Sequence, residues 1–159
     1  MYGKGKKSMN KIFGLVVSLT IISGVCAGVL AYVNKITADP IRETAAKNEA
    51  AAREAVLCGE KGYSAIGVSH SGYGGDIKLM VGFKEDKQTV ISYKVLAASE
   101  TPGLGMKLST PEFTGQFKGK DGTSLKVKKQ GGEIEAITSA TITSKAVCEA
   151  IADAQKNIK

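Results

Sequence analysis

The sequence of 159 residues is poor in the residue types that build metal sites and disulfide frameworks. It has no Trp, one His and three Pro, and its three Cys lack the paired spacing of a metal-binding or disulfide motif. These absences exclude a zinc finger and a disulfide scaffold. The length predicts one domain and excludes a large multi-domain enzyme. A hydrophobic share of 43% argues against a disordered chain.

The charge is distributed unevenly along the chain. A net charge of +7 by itself would suggest nucleic acid or an anionic membrane surface as a partner. Residues 1–11 contain four lysines and no acid, and removing those lysines leaves 18 basic residues against 15 acidic ones. The Lys-rich stretch from Lys118 to Lys129 is interrupted by Asp121 and has no aromatic residue to stack on bases. Nucleic acid is therefore not expected as a partner.

An uncharged run of 22 residues extends from Ile12 to Val33. As a helix it would be about 33 Å long, enough to cross a hydrocarbon core of about 30 Å. Tyr32 stands where an interfacial aromatic belongs, and the basic tail of residues 1–11 places the N-terminus in the cytoplasm by the positive-inside rule. A cleaved signal peptide is the alternative. Because a signal core typically spans about 7–15 residues, we expect an uncleaved transmembrane anchor.

The residues after the span are expected to form a helical stalk, residues 34–59. Asp39 and Pro40 have the pattern of a helix N-cap followed by proline at the first helical position. The Ala-, Glu- and Arg-rich stretch from Ile41 to Leu57 then has high helix propensity and ends near Gly59. Because its apolar residues are mostly alanine, a stalk is expected here rather than a core helix.

Residues 60–159 have the pattern of one small α+β domain. Strand-like runs are separated by glycines or charged turns, and Asp121-Gly122 is a turn signal before an alternating segment. Apolar residues at helical spacing predict a helix at the end of the chain. The strand-like segments are Tyr63–His70, Ile77–Phe83, Val90–Ala98, Leu125–Lys128 and Ile134–Ile137, and the predicted helix is Ser144–Ile158.

Two glycine-containing loops have the composition of ligand-binding loops and also that of ordinary turns. The loop Glu100-Thr101-Pro102-Gly103-Leu104-Gly105 follows directly on a predicted strand. Its glycines would let the backbone approach a flat ligand closely, and Leu104 could present an apolar contact. The loop Gly72-Tyr73-Gly74-Gly75 is either a hairpin turn or a glycine loop against a cofactor. Composition alone leaves both interpretations open.

A hydroxyl-rich segment, Thr138-Ser139-Ala140-Thr141-Ile142-Thr143-Ser144, leads into the predicted C-terminal helix. Hydroxyls at a helix start usually cap it by accepting from backbone N–H groups. Five hydroxyls in seven residues exceed what one cap needs. A helix N-terminus also suits a phosphate, because it offers free N–H groups and a positive dipole end. Capping and phosphate binding are equally compatible with the segment.

The segment Glu135-Ala-Ile-Thr-Ser-Ala-Thr-Ile-Thr-Ser144 resembles the flavinylation signature Asp-x-x-Ser/Thr-Gly-Ala-Thr of FMN-binding domains. In that family the final threonine of the motif, here Thr141, carries FMN through a phosphoester bond. Both glycine loops also resemble the family at matching relative positions. Three positions depart from its usual pattern. Glu135 stands for Asp, Ala98 stands where a histidine is frequent, and Ser139 replaces a glycine, which matters if that position needs a positive φ.

The resemblance implies covalent FMN on Thr141, transferred from FAD by a separate flavin transferase whose Mg²⁺ belongs to that enzyme. The helix beginning near Thr143 would help compensate the phosphate charge, and Gly103, Leu104 and Gly105 would lie along the ring. No catalytic residue and no metal site are implied in the chain itself. The implied cofactor-binding residues are Thr138, Ser139, Ala140, Thr141, Thr143, Glu100, Thr101, Gly103, Leu104, Gly105, Tyr73 and Gly74.

Within that family the chain is most similar to the G subunits of Rnf-type ion-translocating electron-transport complexes. This implies a single-pass flavoprotein of the cytoplasmic (inner) membrane with its flavin domain outside the cytoplasm. It would relay electrons between ferredoxin and NAD, while the complex with its other membrane subunits moves Na⁺ or H⁺. The alternatives are the flavin-domain subunit of a sodium-translocating NADH:quinone reductase, another membrane electron-transfer or regulatory flavoprotein, and a cofactor-free anchored scaffold module.

On this topology Cys58 and Cys148 lie outside the membrane. A disulfide and a pair of reduced thiols are both open, because spacing alone does not decide between them. His70 has no second metal-ligand candidate beside it and is expected to be structural.

Overall fold

A computed structural model describes the backbone of residues 4–158 and the side chains of residues 12–158. It divides the chain into two compact units, Met1–Ala45 and Ala46–Lys159. The side chains of the predicted basic tail, residues 1–11, lie outside the described part. An α+β architecture with one long apolar N-terminal helix is confirmed.

The first unit is formed by helix α1, which extends from Lys4 to Leu57 and so continues into the second unit. Its most apolar 18-residue window has a mean hydropathy of 2.3, and none of that window is buried. The hydroxyls of Ser18 and Thr20 donate to the carbonyls of Gly14 and Val16, both at 2.9 Å. By length and composition this helix can therefore cross a membrane.

The predicted helix start at Asp39 and Pro40 is wrong, because α1 is continuous through Pro40. A proline inside a helix lacks one donor and costs about 3 kcal/mol. Helix α1 nevertheless continues on both sides of Pro40, and the Thr44 hydroxyl donates to the Pro40 carbonyl at 2.7 Å. The helix ends where the sequence indicates, since Cys58 and Gly59 both have positive φ, at 49° and 78°.

The second unit contains an antiparallel sheet in the order β1 (Gly62–Ser69), β2 (Ile77–Lys84) and β3 (Val90–Ala98). These three strands are confirmed to within one residue at each end. One face of β2 carries Ile77, Leu79, Val81 and Phe83, which belong to the main core. On the other face, Met80 packs with Ala52 and Val56 of α1 in a second cluster. One side of the last turns of the segment expected as a stalk is thus buried against the sheet.

The chain between β3 and the last helix has little regular structure. Helix α2 is a single turn, Pro111–Thr114, with 3₁₀ turns at Gly105–Ser109 and Gly115–Phe117 that the sequence pattern did not indicate. The predicted strands at residues 125–128 and 134–137 are wrong. They meet only in one parallel bridge between Val127 and Ile134, and between these residues the chain forms a 3₁₀ turn, Lys128–Gln130, that ends at Gly131 with φ 79°. The alternation of apolar and polar residues in these two segments arises because Val127 and Ile134 are buried.

Helix α3, Thr141–Lys156, begins three residues before the predicted Ser144. Its apolar side, including Val147 and Ile151, is buried against the sheet. Asp153 accepts from the outer-edge amide of Val68 in β1 at 3.0 Å. These contacts fix α3 on the sheet, and its hydrogen bond to Glu100, just after β3, brings its N-terminus to the loop that follows that strand.

Candidate functional site

A cleft of about 550 Å³ lies at the N-terminus of α3. Its walls come from the first turn of that helix, from the loop after β3 and from the loop between β1 and β2. Its volume is within the range of small-molecule and cofactor sites, about 300–1,000 Å³. The lining residues are Tyr73, Glu100, Thr101, Leu104, Gly105, Ser139, Ala140, Thr141, Ile142 and Thr143.

Most residues implied by the family resemblance therefore share one cleft. Gly103 and Gly74 do not line it, and Thr138 lines an adjacent, more open cleft of about 650 Å³. Ile142 lines the site and was not predicted. The sequence feature that could have identified Ile142 is that it is an apolar residue in an otherwise polar first helical turn. With Tyr73 and Leu104, it gives the cleft a partly exposed apolar wall.

Glu100 joins the three elements that form the cleft. Only 6% of its surface is exposed. One carboxylate oxygen, Oε2, accepts from the Thr143 hydroxyl at 2.8 Å, and Oε1 accepts from the Gly74 amide at 3.3 Å. Among the described side chains, no cation forms an ion pair with this carboxylate. A buried carboxylate satisfied only by neutral donors thus holds α3 and both loops together.

Two glycines of these loops lie so close to the Glu100 carboxylate that a side chain at either position would clash with it. A Cβ on Gly105 would lie 2.5 Å from Glu100 Oε2. A Cβ on Gly72 would lie 2.1 Å from the Gly75 carbonyl oxygen and 2.7 Å from Glu100 Oε1. Gly103, by contrast, has φ 76° and open space around it, so its glycine serves the turn. Gly72 and Gly105 thus leave room for Glu100, whichever ligand the cleft takes.

The interpretation of the hydroxyl segment as a simple helix cap is wrong. The N-cap of α3 is Ala140, which has no side-chain hydrogen bond to the helix. Ser144 instead faces backward, since its hydroxyl accepts from the Ile137 amide and donates to the Ala140 carbonyl, both at 2.9 Å. The first-turn amides of residues 141–143 have no intrahelical acceptor, as at any helix start. This helix end retains the character of an anion site.

The five hydroxyls of the segment divide into two groups. Those of Thr143 and Ser144 are buried and hydrogen-bonded. Thr138 and Ser139 are exposed, and Thr141 is half-buried at the first helical position. Within the described part of the chain, the Thr141 hydroxyl makes no hydrogen bond, and it lies in the cleft. It therefore combines access, a free hydroxyl and proximity to helix N–H groups.

Ser139 occupies the left-handed region, with φ 63°. A residue with a Cβ is strained there by roughly 1–2 kcal/mol relative to glycine. A glycine, which the family signature has at this position, would adopt this φ without that strain.

The segment before the helix is held by one glutamine. The Glu135 amide donates to Gln116 Oε1 at 2.7 Å, and Gln116 Nε2 donates to the Glu135 carbonyl at 3.3 Å. The Glu135 carboxylate itself points to Lys128 at 3.2 Å. The acidic motif position is thus outside the cleft wall.

The cysteines are free thiols in the described structure: Cys58 is exposed and Cys148 is buried. Burial raises the pKa of Cys148 to about 12. His70 Nδ1 lies 2.9 Å from an exposed carboxylate oxygen of Asp76. Among residues 4–158 no group of three or more His, Cys, Asp or Glu side chains is placed to hold a metal ion.

The fold and the cleft define a class: a small α+β domain with an anion-compatible helix end, an apolar wall and a free threonine hydroxyl. The family model of the FMN-binding domain matches residues 72–156, more than half of the sequence. The chain belongs to the FMN-binding domain family. An FMN fits the residues present, because its phosphate needs the helix end and its ring needs apolar walls.

Two curated relatives show different extents of similarity. The G subunit of the proton-translocating ferredoxin:NAD(+) oxidoreductase complex of Clostridium ljungdahlii is 32% identical over 175 residues, covering 96% of this chain and 94% of that protein. The G subunit of the ion-translocating oxidoreductase complex of Methanosarcina acetivorans is 43% identical over 77 residues. That match covers 48% of this chain and 41% of the relative, so it spans about two fifths of the relative's length.

Among solved structures, the C subunit of the Na(+)-translocating NADH-quinone reductase from Parabacteroides distasonis is similar to this chain. Its TM-score is 0.46 at 30% sequence identity, and the match covers 57% of this chain and 50% of that one.

Proposed function

We propose that this chain is a membrane-anchored electron carrier with FMN attached to Thr141 through a phosphoester bond. The observation that carries the proposal is the Thr141 hydroxyl, which is free of hydrogen bonds within the described residues and lies in the cleft at the first position of α3. The match to the FMN-binding domain family supports the cofactor. The other hydroxyls of the same helical turn are buried and bonded, which favours Thr141 over Thr143.

In this proposal FMN supplies the redox chemistry, and the chain supplies binding, position and electrostatics. The free amides at the start of α3 would compensate the charge of the phosphate. Tyr73, Leu104 and Ile142 would pack against the ring, since they form the apolar wall of the cleft. Attachment would require a separate flavin transferase during maturation.

The proposed setting is an Rnf-type complex that couples electron transfer between ferredoxin and NAD to movement of Na⁺ or H⁺. The full-length similarity to the G subunit from Clostridium ljungdahlii supports this assignment. The lysines of residues 1–11 favour a cytoplasmic N-terminus and an extracytoplasmic flavin domain. A covalent bond suits such a domain, because FMN lost outside the cytoplasm could not be recaptured.

Co-expression of the full chain with a flavin transferase tests the attachment. Denaturing electrophoresis of the wild type should give a fluorescent band with an intact mass increased by one FMN phosphoester. Thr141→Ala should lose both signals, whereas Thr138→Ala, which removes an exposed hydroxyl outside the cleft, should keep them. A fluorescent Thr141→Ala band would refute the site. A wild type without flavin would refute the cofactor and leave a scaffold module as the better account.

The complex is tested separately by co-purification. Wild-type chain extracted from its native membrane should bring multi-span membrane subunits with it. A flavinylated chain that purifies alone in mild detergent would favour another membrane electron-transfer or regulatory flavoprotein.

A further inference from the structure

We infer that Glu100 is a positioning residue whose negative charge makes the flavin in this cleft harder to reduce. The inference rests on the proposed function, because it concerns the same cleft. It starts from the placement of the carboxylate, which is buried in the cleft wall and hydrogen-bonded to Thr143, two residues after Thr141.

The hydrogen bonds of Glu100 are suited to an ionised carboxylate. Both of its oxygens accept, one from a hydroxyl and one from an amide. No Lys, Arg or His side chain among residues 12–158 neutralises it by an ion pair. Within the described residues, the groups that bond to the carboxylate are therefore neutral donors, and the positive end of α3 lies beside it. Because Glu100 is buried, water screens its charge less than it screens a charge on an exposed side chain.

Reduction of the isoalloxazine by two electrons and one proton adds one negative charge to the ring. A fixed negative charge in the same cleft opposes that step, so it lowers the midpoint potential. The carboxylate also competes with the FMN phosphate for the positive helix end. Both effects follow from charge, whereas the connection of the loops follows from hydrogen bonding. A neutral isostere separates the two.

Glu100→Gln in the full-length, flavinylated chain is the direct variant. The amide oxygen can still accept from Gly74, and the amide nitrogen can donate to the Thr143 hydroxyl, so the connection is retained. We expect FMN to remain attached and the midpoint potential, measured by spectroelectrochemical titration, to shift to a more positive value. Glu85→Gln, which removes the same charge from the exposed β2–β3 turn, should leave the potential unchanged.

Thr143→Val tests the alternative that loop geometry sets the potential. It removes the hydroxyl donor but keeps the carboxylate, so its potential should not rise above that of the wild type. A midpoint potential in Thr143→Val above that of the wild type would contradict a charge effect. This test remains available if Glu100→Gln does not fold. An unchanged potential in flavinylated Glu100→Gln would overturn the inference.

The remaining outcomes are also decisive. A folded Glu100→Gln chain that accepts no FMN would assign the carboxylate to attachment and overturn its role in the potential. A wild type without FMN would refute the proposed function, and this inference with it. If the wild type carries FMN and its midpoint potential equals that of Glu100→Gln, the inference is overturned but the proposed function stands.

Discussion

Thr141 and Thr143 are the same residue type in the same helical turn, and their hydroxyls have opposite environments. Thr143 is 1% exposed and donates to the buried carboxylate of Glu100. Thr141 is half-buried and makes no hydrogen bond within the described part of the chain. The core side of the turn therefore holds the site together, and the cleft side is left free for chemistry. Substitutions on the two sides of this turn should therefore have different consequences.

Thr141→Val and Thr143→Val are a matched pair. Thr141→Val should abolish covalent FMN while changing the free energy of unfolding by no more than about 0.5 kcal/mol, as is usual away from buried contacts. Thr143→Val should keep the flavin and lose about 1–3 kcal/mol, because a buried carboxylate oxygen loses its donor. In-gel fluorescence and thermal unfolding of the detergent-solubilised full chain measure the two quantities. Equal losses of flavin in both variants would contradict the contrast.

Ser144→Ala should destabilise the chain without affecting the cleft chemistry. The Ile137 amide would lose its only acceptor given by the structure, a cost of about 1–3 kcal/mol for a buried donor. The flavin content per folded chain should remain that of the wild type. Exposed Ser124→Ala is the control and should change stability by less than about 0.5 kcal/mol. A Ser144→Ala variant as stable as this control would show that the Ile137 amide finds another partner.

Ser139→Gly should stabilise the loop before Thr141. Glycine relieves the left-handed strain at φ 63°, and its extra freedom in the unfolded chain offsets part of the gain. The net increase in unfolding free energy should be about 1 kcal/mol, visible as a higher Tm. Ser139→Val, which is β-branched, should lower the Tm. A glycine variant less stable than the wild type would contradict the strained geometry.

The buried thiol on the core side of α3 gives the smallest effect. Cys148 has a folded pKa of about 12 against 9.0 unfolded, so the native state retains a proton that the unfolded state loses. Its stabilising contribution is complete below pH 9.0 and is lost as the pH rises toward about 12. Burial likewise raises the pKa of Tyr93, from 10.0. In Cys148→Ala the decline in Tm should therefore begin near pH 10.0 instead of 9.0.

The parts of the fold that were predictable are those in which one periodicity dominates. The strands Gly62–Ser69, Ile77–Lys84 and Val90–Ala98 bury apolar residues in the core, and their sequences show this as alternation or as high apolar content. The prediction at Pro40 was wrong because an Asp-Pro pair usually marks a helix start, whereas here the proline lies inside the long helix α1. The prediction of strands in residues 125–137 was wrong because burial of Val127 and Ile134 produces an alternation of apolar and polar residues there, although the two residues form only one isolated β-bridge.

The candidate site was predictable as a set of loops but not as a structure. Family resemblance pointed to Thr141 and to the glycines, and of these Thr141 and Gly105 line the cleft, whereas Gly74 and Gly103 do not. The space that Gly72 leaves for Glu100 depends on a contact between residues that are 28 positions apart in the sequence, which a local sequence pattern does not encode. The same holds for Ser144, whose hydroxyl turns back to Ile137 instead of capping α3.

The most direct measurement is the mass of the chain extracted from its native membrane, followed by proteolytic mapping of any modified peptide. The account predicts a chain that retains Ile12–Val33 and carries one FMN, with the modification on Thr141. An unmodified chain, or a flavin on Thr138, Ser139 or Thr143, would contradict it.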